Sequence, residues 1–214
     1  GSAFPSHLGH PASSFAVLCN TRDEMVVEAR KQLKDGVDIV KVAGDGDSLT
    51  SAGLLAGTIS VPDLTAIAEV THMMAKKCTI HARSGSASRA ASEAGFDWVI
   101  HGSYMNDDDL GVLEKNRTPI NPTLALLANA IEWGPDVGMS ARMIDAYKHE
   151  LDAASAILTK AHRAGLTMLA GTDSGNGPVP YGDWHARELE YLMTYLGMSA
   201  MEALLAGTRN AAVA

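Results

Sequence analysis

Three segments of the chain share the same order of a helix, a glycine turn and a short apolar strand. They are KDGVDIVKV at 34–42, EAGFDWVIH at 93–101 and RAGLTMLAG at 163–171. Glycine suits the left-handed position that ends a helix, and the apolar run after it suits a strand that is covered on both faces. Each glycine therefore predicts a joint between a helix and a strand of a parallel sheet.

Two more units extend this pattern. KKCTIHARS at 76–84 follows a helix predicted over 61–75, and RTPINPTLAL at 117–126 follows a helical stretch at 107–115. A sixth strand is a candidate in SFAVLCN at 14–20. Further helices are predicted over 140–164, 184–196 and 199–207. Alternating strands and helices indicate the α/β class with a parallel sheet, either a closed barrel or an open doubly wound sheet.

Two observations favour the (β/α)8 TIM-type barrel over the open sheet. A GxGxxG motif after a strand would mark a dinucleotide-binding fold, and the sequence has none. Several predicted strands instead end in a polar residue, and active sites of TIM barrels lie at the carboxyl ends of the strands. We therefore expect polar side chains to converge at that end of a barrel.

The composition excludes several classes of partner. A formal net charge of -8 without a basic stripe argues against nucleic-acid binding. An apolar run of roughly 18 residues, which would suggest a membrane helix, does not occur, and the N-terminus lacks a signal-peptide pattern. Cys19 and Cys78 lie far apart without CxxC spacing, so we expect buried reduced thiols. A soluble protein of cytoplasmic type fits best.

Lys41 stands among apolar neighbours in the predicted strand DIVKVAG. An ammonium group in such a strand is costly to bury without a partner. Three interpretations of the lysine are open: a buried salt bridge with Asp45 or Asp47, a Schiff-base nucleophile, or a carbamate that binds a metal. The lysine alone does not decide between them.

Three further strand ends carry polar residues. His81 follows the apolar run of CTIHAR, and His101 follows that of WVIHGS. Histidines on adjacent strands can direct their ring nitrogens at one ion. LTMLAGTDSG ends in Asp173, which could bind a metal and accept a proton from a bound water. The alternative for Asp173 is a turn in which it caps the next segment.

Together these residues and their surroundings resemble the amidohydrolase superfamily, within its imidazolonepropionase-like and Xaa-Pro dipeptidase-like branch. The resemblance runs from about Arg22 to Ala212. The matching motifs are VKVAG (40–44), TIHAR (79–83), VIHGS (99–103), NPTLAL (121–126), LAGTDSG (169–175), HAREL (185–189) and GMSAMEALLAGTRNAA (197–212).

The resemblance implies a metal-dependent hydrolase of an amide or other C–N bond, with a peptidic or acyl-amino-acid substrate. A carboxylated Lys41 would bridge two divalent metal ions, and zinc is the expected metal. A site with a single ion is the alternative. His81 and His101 would bind the second metal, and Asp173 would bind the first. The metals would share a hydroxide, whose proton Asp173 would accept and pass to the leaving amine.

The sequence departs from this family at several points. It has no HxH pair for the first strand, and His7 and His10 are not assigned to that role because no apolar strand precedes them. GHP resembles a loop after strand three, which makes His10 a candidate substrate contact. Arg83, Tyr181 and His185 are further candidates for substrate binding, and for each of them an ordinary surface or structural position is the alternative.

With Lys41 as strand four, the chain has room for strand three at most before it. We therefore expect a single domain over 1–214 that is an incomplete barrel, without strands one and two and without the family's small β-domain. Two other functions stay open. One is a Schiff-base aldolase that uses Lys41, and the other is an inactive or incomplete barrel that pairs its open edges with another chain, which makes a homo-oligomer the expected state.

Overall fold

The computed structural model describes residues 2–4 by their backbone and residues 16–46, 56–175, 178–182 and 184–214 in full. The chain divides into two compact units. The first comprises Gly1–Ile100 and Met105–Thr118, and the second comprises His101–Tyr104 and Pro119–Ala214. The prediction of one domain is not tested by this division.

The first unit alternates strands and helices along the chain. Its elements are β1 (Ser2–Phe4), β2 (Val17–Leu18), α1 (Arg22–Lys34), β3 (Ile39–Ala43), α2 (Val61–Met73), β4 (Lys77–Ser84), α3 (Gly85–Glu93), the first part of β5 (Trp98–Tyr104) and α4 (Asp107–Asn116). Neighbouring helices pack against one another in the pairs α1 with α2, α2 with α3, and α3 with α4.

The second unit is mostly helical. Its elements are the last part of β5, β6 (Ile120–Asn121), α5 (Leu124–Trp133), a 3₁₀ helix (Gly134–Val137), α6 (Ala141–Arg163), α7 (His185–Leu196), α8 (Ala200–Leu205), a π-helical turn (Ala206–Asn210) and α9 (Ala211–Val213). Helices α5, α6 and α7 pack against one another around the buried side chains of Leu124, Leu158 and Leu192. In the described part of the chain, no helix has both the length and the apolar character that a bilayer-crossing segment requires.

The strands follow the order β2-β1-β3-β4-β5-β6 in one sheet. β1 pairs in parallel with β2 and β3, and β3 pairs in parallel with β4. The predicted α/β class with a parallel sheet is therefore confirmed. Among the described strands the sheet is not closed, so the incomplete (β/α)8 barrel remains a prediction.

The three glycine joints are confirmed. Gly36, Gly95 and Gly165 follow helix ends with φ angles of +89°, +82° and +87°. The strand expected after Gly165 is shorter than predicted: its one described sheet pairing is the parallel bridge between Met168 and Ile120. Its partner β6 is only two residues long, because Pro122 has no N–H to donate and α5 begins two residues later.

The buried face of the central strands explains their apolar sequence. Val40 and Val42 of β3, and Cys78, Ile80 and Ala82 of β4, are almost fully buried. These positions alternate along each strand, as the period of two in a β-strand requires. The intervening residues of the two strands face the other side of the sheet. Cys78 and the more distant Cys19 are both free and buried, as predicted.

Candidate functional site

In the first unit, His81 of β4 is held by the segment that follows β3. Its Nε2 lies 3.2 Å from Asp45 Oδ1 and 3.2 Å from the Gly46 carbonyl oxygen. Asp45 also accepts hydrogen bonds from the N–H of Arg83 at 3.1 Å, and from the N–H and hydroxyl of Ser84 at 2.7 and 2.6 Å. Burial raises the pKa of Asp45, but the hydrogen bonds from His81 and Ser84 outweigh it and hold the pKa below its ordinary value. Asp45 is thus a carboxylate that orients His81.

Lys41 is half-buried in β3, and Asp45 is not its partner, because that carboxylate is bonded to His81 and Ser84. No carboxylate forms an ion pair with Lys41 within the described ranges of the chain. Asp47, the other acid considered for this role, lies outside the described residues. The structure therefore does not support the salt bridge with Asp45, while the salt bridge with Asp47, the Schiff base and the carbamate stay open.

The strand register places Lys41 and His81 on the same face of the sheet. Lys41 lies opposite Thr79, and Ala43 lies opposite His81. Since side chains alternate along a strand, Lys41, Thr79 and His81 share a face, and Arg83 follows on it. Arg83 is buried rather than on the surface, so an ordinary surface position is excluded for it. Its role as a substrate contact stays a prediction.

In the second unit, His101 is a buried residue with a left-handed backbone. Its φ angle is +78°, and Gly102 continues in this region at +68°. A left-handed conformation costs a non-glycine residue about 1–2 kcal/mol, so it is kept only where the surroundings require it. His101 Nδ1 lies 2.5 Å from the hydroxyl of buried Thr123, and that hydroxyl donates to the Pro122 carbonyl oxygen at 2.7 Å.

Glu188 is a residue of this unit that the sequence reasoning did not single out. Its fully buried carboxylate accepts the N–H of Leu124 at 3.0 Å and that of Ala125 at 2.7 Å, the first two residues of α5. Burial raises the pKa of Glu188 to about 7, the charge of Asp173 acts in the same direction, and the backbone donors oppose both. The sequence did contain a signal for Glu188: its spacing from Leu192 and Leu196 places this acid on the apolar, buried face of α7, where a charged residue is unusual.

Asp173 is half-buried with a φ angle of +52°. Two residues later, a Cβ atom added to Gly175 would lie 2.6 Å from the Tyr181 hydroxyl, so Tyr181 approaches the loop after Asp173 closely. Tyr181 is 83% exposed, and His185 is an exposed residue at the start of α7. Their roles in substrate binding remain predictions, and His10 lies outside the described residues.

A separate cluster of His72, Cys78 and Asp97 has ligand atoms within 4.8 Å of one another. Both carboxylate oxygens of Asp97 already have a partner, because Oδ2 lies 2.9 Å from His72 Nε2 and Oδ1 lies 2.9 Å from Lys77 Nζ. Burial raises the pKa of the Cys78 thiol to about 12, whereas metal binding requires a thiolate. This cluster is better explained as a structural ion-pair network than as a metal site.

The predicted ligands fit a divalent cation in their chemistry. Imidazole nitrogens and carboxylate oxygens are donors that zinc accepts. Metal-binding histidines usually give their second ring nitrogen to a carboxylate or another polar group, which fixes the ring. His81 has such a contact in Asp45, and His101 has one in Thr123.

Comparison with known sequences places relatives in mycobacteria. No family model matches the chain. An uncharacterized protein of Mycobacterium tuberculosis strain H37Rv is 30% identical over 205 residues, which are 92% of this chain and 53% of that protein. The chain thus spans about half the length of the curated relatives that it matches.

Solved structures are similar over most of the chain. A Bifidobacterium longum protein that is provisionally named a prolidase has a TM-score of 0.83 and 29% identity, over 99% of this chain and 53% of its own. An Xaa-Pro dipeptidase with methionine bound in its active site has a TM-score of 0.79 and 22% identity, over 92% of this chain and 48% of its own. The ochratoxinase of A. niger has a TM-score of 0.79 and 21% identity, over 92% of this chain and 44% of its own. The last two similarities concern the fold alone.

Proposed function

We propose that this chain carries the metal-binding residues of a hydrolase that cleaves an amide or other C–N bond. The proposal is supported by the resemblance of its motifs to the amidohydrolase superfamily and by the 29% identity with the structure that is provisionally named a prolidase. The proposed substrate is peptidic or an acyl-amino acid, in line with the prolidase and dipeptidase names of the similar structures. The proposed ion is zinc, as one or two ions, and the proposed fold is an incomplete (β/α)8 barrel.

The observation that carries the proposal is the state of Lys41. This half-buried lysine forms no ion pair with any described carboxylate, and it shares a sheet face with His81. The neutral amine can add to carbon dioxide and release a proton, which leaves a carbamate anion with two oxygen donors. A cation next to the carbamate would offset the cost of burying its charge.

The other proposed ligands are His81, His101 and Asp173. A bound divalent cation would lower the pKa of a water molecule toward neutrality and polarise the scissile carbonyl. Asp173 then accepts a proton and passes it to the nitrogen of the leaving amine, as general base and afterwards general acid. Further residues are proposed to contact the substrate: Arg83, Tyr181, His185 and His10.

Metal analysis of the purified protein tests this function. We expect stoichiometric zinc in the wild type, and its loss in Lys41→Ala and His101→Ala. Lys76→Ala is the matched control, because Lys76 is a half-buried lysine that pairs with Asp38 at 2.8 Å. A carbon-13 signal from labelled bicarbonate, present in the control and absent from Lys41→Ala, would identify the carbamate. A wild type without metal and without affinity for zinc would contradict the proposal.

A Schiff-base aldolase is the second candidate, because Lys41, which has no ion pair with a described carboxylate, could attack a carbonyl. It leaves the positions of His81, His101 and Asp173 unexplained. Borohydride reduction in the presence of a carbonyl substrate separates the two functions. An adduct at Lys41 would support the aldolase, and an unmodified Lys41 would support the hydrolase.

We propose in addition that the chain forms a homo-oligomer in the cytoplasm. The described sheet ends in β2, and an unpaired strand edge favours association with another chain. Buried free thiols suit a reducing compartment. Light scattering of the purified chain tests the first part, and a monomeric mass would contradict it. Fractionation of the source cells tests the second.

A further inference from the structure

The direction of two hydrogen bonds fixes the protonation of the His101 ring. The Thr123 hydroxyl has one proton, and it points that proton at the Pro122 carbonyl oxygen at 2.7 Å. A carbonyl oxygen can only accept. The hydroxyl oxygen must therefore accept the hydrogen bond from His101, so that the ring nitrogen Nδ1 is the donor. In the neutral ring the lone pair that could bind a metal is then on Nε2.

The position of the Thr123 hydroxyl depends in turn on Glu188. Thr123 is the N-cap residue of α5, with a φ angle of +56°, and its side chain makes no capping hydrogen bond to that helix. The N–H groups of the first helical turn have no partner within the helix and need other acceptors. Glu188 supplies them from α7 through the N–H groups of Leu124 and Ala125, next to Thr123. The carboxylate thus fixes the turn that carries the hydroxyl.

We propose that Thr123 and Glu188 are positioning residues that hold His101 in the tautomer and orientation needed to bind a metal through Nε2. This inference rests on the proposed function, because it takes His101 as a ligand. It gives a common role to three motifs that are separate in the sequence: VIHGS, NPTLAL and HAREL. Neither residue contacts the substrate in this scheme, and both act through His101.

Two variants of Thr123 separate positioning from packing. Thr123→Val keeps the branched shape at the same backbone conformation and removes the hydroxyl, whereas Thr123→Ser keeps the hydroxyl. Nitrogen-15 NMR of the metal-free protein reports which ring nitrogen is protonated, and His101→Asn assigns the signal. We expect the Nδ1–H tautomer in the wild type and in Thr123→Ser, and a mixture of tautomers in Thr123→Val.

Zinc affinity is the second measurement. Loss of a group that orients a metal-binding histidine typically weakens metal binding about 10–100-fold. We expect a loss of this size in Thr123→Val and an affinity close to wild type in Thr123→Ser. Glu188→Gln should also weaken zinc binding, because an amide cannot accept both backbone N–H groups. Glu190→Gln on the same helix is the control, since Glu190 is exposed and bonds Arg187 at 3.1 Å.

The outcomes distinguish this inference from the proposed function. Zinc binding that is equally tight in wild type and Thr123→Val, with an unchanged tautomer, would overturn the positioning role. If the wild type binds no zinc while the tautomer still depends on the Thr123 hydroxyl, the proposed function fails and the hydrogen-bond arrangement is supported. Tight binding in Thr123→Ser together with weak binding in Thr123→Val supports both.

Discussion

At the scale of single residues, Asp97 shows how a partly buried charge is stabilised. Its carboxylate accepts hydrogen bonds from Lys77 Nζ, from His72 Nε2 and from the N–H of Cys78, the last at 2.8 Å. Burial raises the pKa of Asp97, but these donors outweigh it and lower the pKa below the ordinary 3.8. The folded protein therefore binds this proton less tightly than the unfolded chain. The stabilisation is complete above the ordinary pKa and is lost as the pH falls through the lower folded-state pKa.

Asp97→Asn should reduce the free energy of unfolding by about 1–3 kcal/mol at pH 7, because the amide leaves at least one donor of the network unpaired. The difference from wild type should shrink as the pH falls below about 4. Urea unfolding at pH 7, 5 and 3 measures both effects. Asp38→Asn is the control, since Asp38 is 89% exposed and its pairing with Lys76 should matter little at any pH. An Asp97→Asn effect of equal size at pH 7 and pH 3 would contradict this explanation.

At the scale of elements, two helices begin with different hydrogen bonds. At α4 the Asn106 side chain accepts the N–H of Asp109 at 2.9 Å, and the Asp109 carboxylate accepts the N–H of Asn106 at 3.1 Å, which is a capping box. At α2 the Ser60 hydroxyl instead donates to the Asp63 carboxylate at 2.7 Å, and no side chain caps the helix backbone.

Asn106→Ala should therefore destabilise the protein by about 1 kcal/mol, because it leaves the N–H of Asp109 without its side-chain acceptor in the capping box. Ser60→Ala should lower the free energy of unfolding by only about 0.3 kcal/mol, since the helix backbone loses no hydrogen bond. Denaturant unfolding of both variants gives the comparison. Equal losses would show that the cap geometry does not set the stability of these helix starts.

Helix ends were predictable from sequence where glycine or a polar cap determines the local backbone. Gly36, Gly95 and Gly165 have the predicted left-handed conformation, because this requirement is local. The strand after Gly165 was predicted too long, because its length depends on the partner strand β6, which Pro122 ends early. Ser60 is of a residue type that favours an N-cap, but its hydroxyl donates to the Asp63 carboxylate and accepts no N–H from the helix backbone.

At the scale of the whole molecule, the two compact units carry different probes of unfolding. The buried thiols of Cys19 and Cys78 lie in the first unit, and burial raises the pKa of both. Trp133 and Trp184 lie in the second unit with ring centroids 5.0 Å apart. Thiol reactivity and tryptophan fluorescence can therefore follow each unit separately, once Trp98 of the first unit is replaced.

In Trp98→Phe, we expect both thiols to be protected from a thiol reagent at pH 8 and to react once denaturant unfolds the chain. If 1–214 is one domain, the midpoint of thiol exposure and the midpoint of the fluorescence change coincide. The same measurement on the wild type controls for any effect of the substitution on stability. Two separate midpoints would contradict the prediction of a single domain.

The candidate site was predictable only in part. Lys41, His81, His101 and Asp173 stand out because each interrupts or ends an apolar run, which is a local signal. Their partners have no such signal. Asp45 was considered only as one possible partner of Lys41, and its contact with His81 was not foreseen because the pairing of β3 with β4 brings the two together. Thr123 and Glu188 were missed as individual residues because their contacts join distant parts of the chain, although the position of Glu188 on the buried face of α7 was a clue.

The hydrogen bonds of Glu188 have a consequence for synthesis on the ribosome. Glu188, the acceptor of this hydrogen bond, follows its donor Leu124 by 64 residues. At translation rates of about 5–20 residues per second, roughly 3 to 13 s pass before the carboxylate that completes the start of α5 exists. Throughout that interval the start of α5 lacks the Glu188 acceptor, so the proposed positioning of His101 is complete only after α7 has been made.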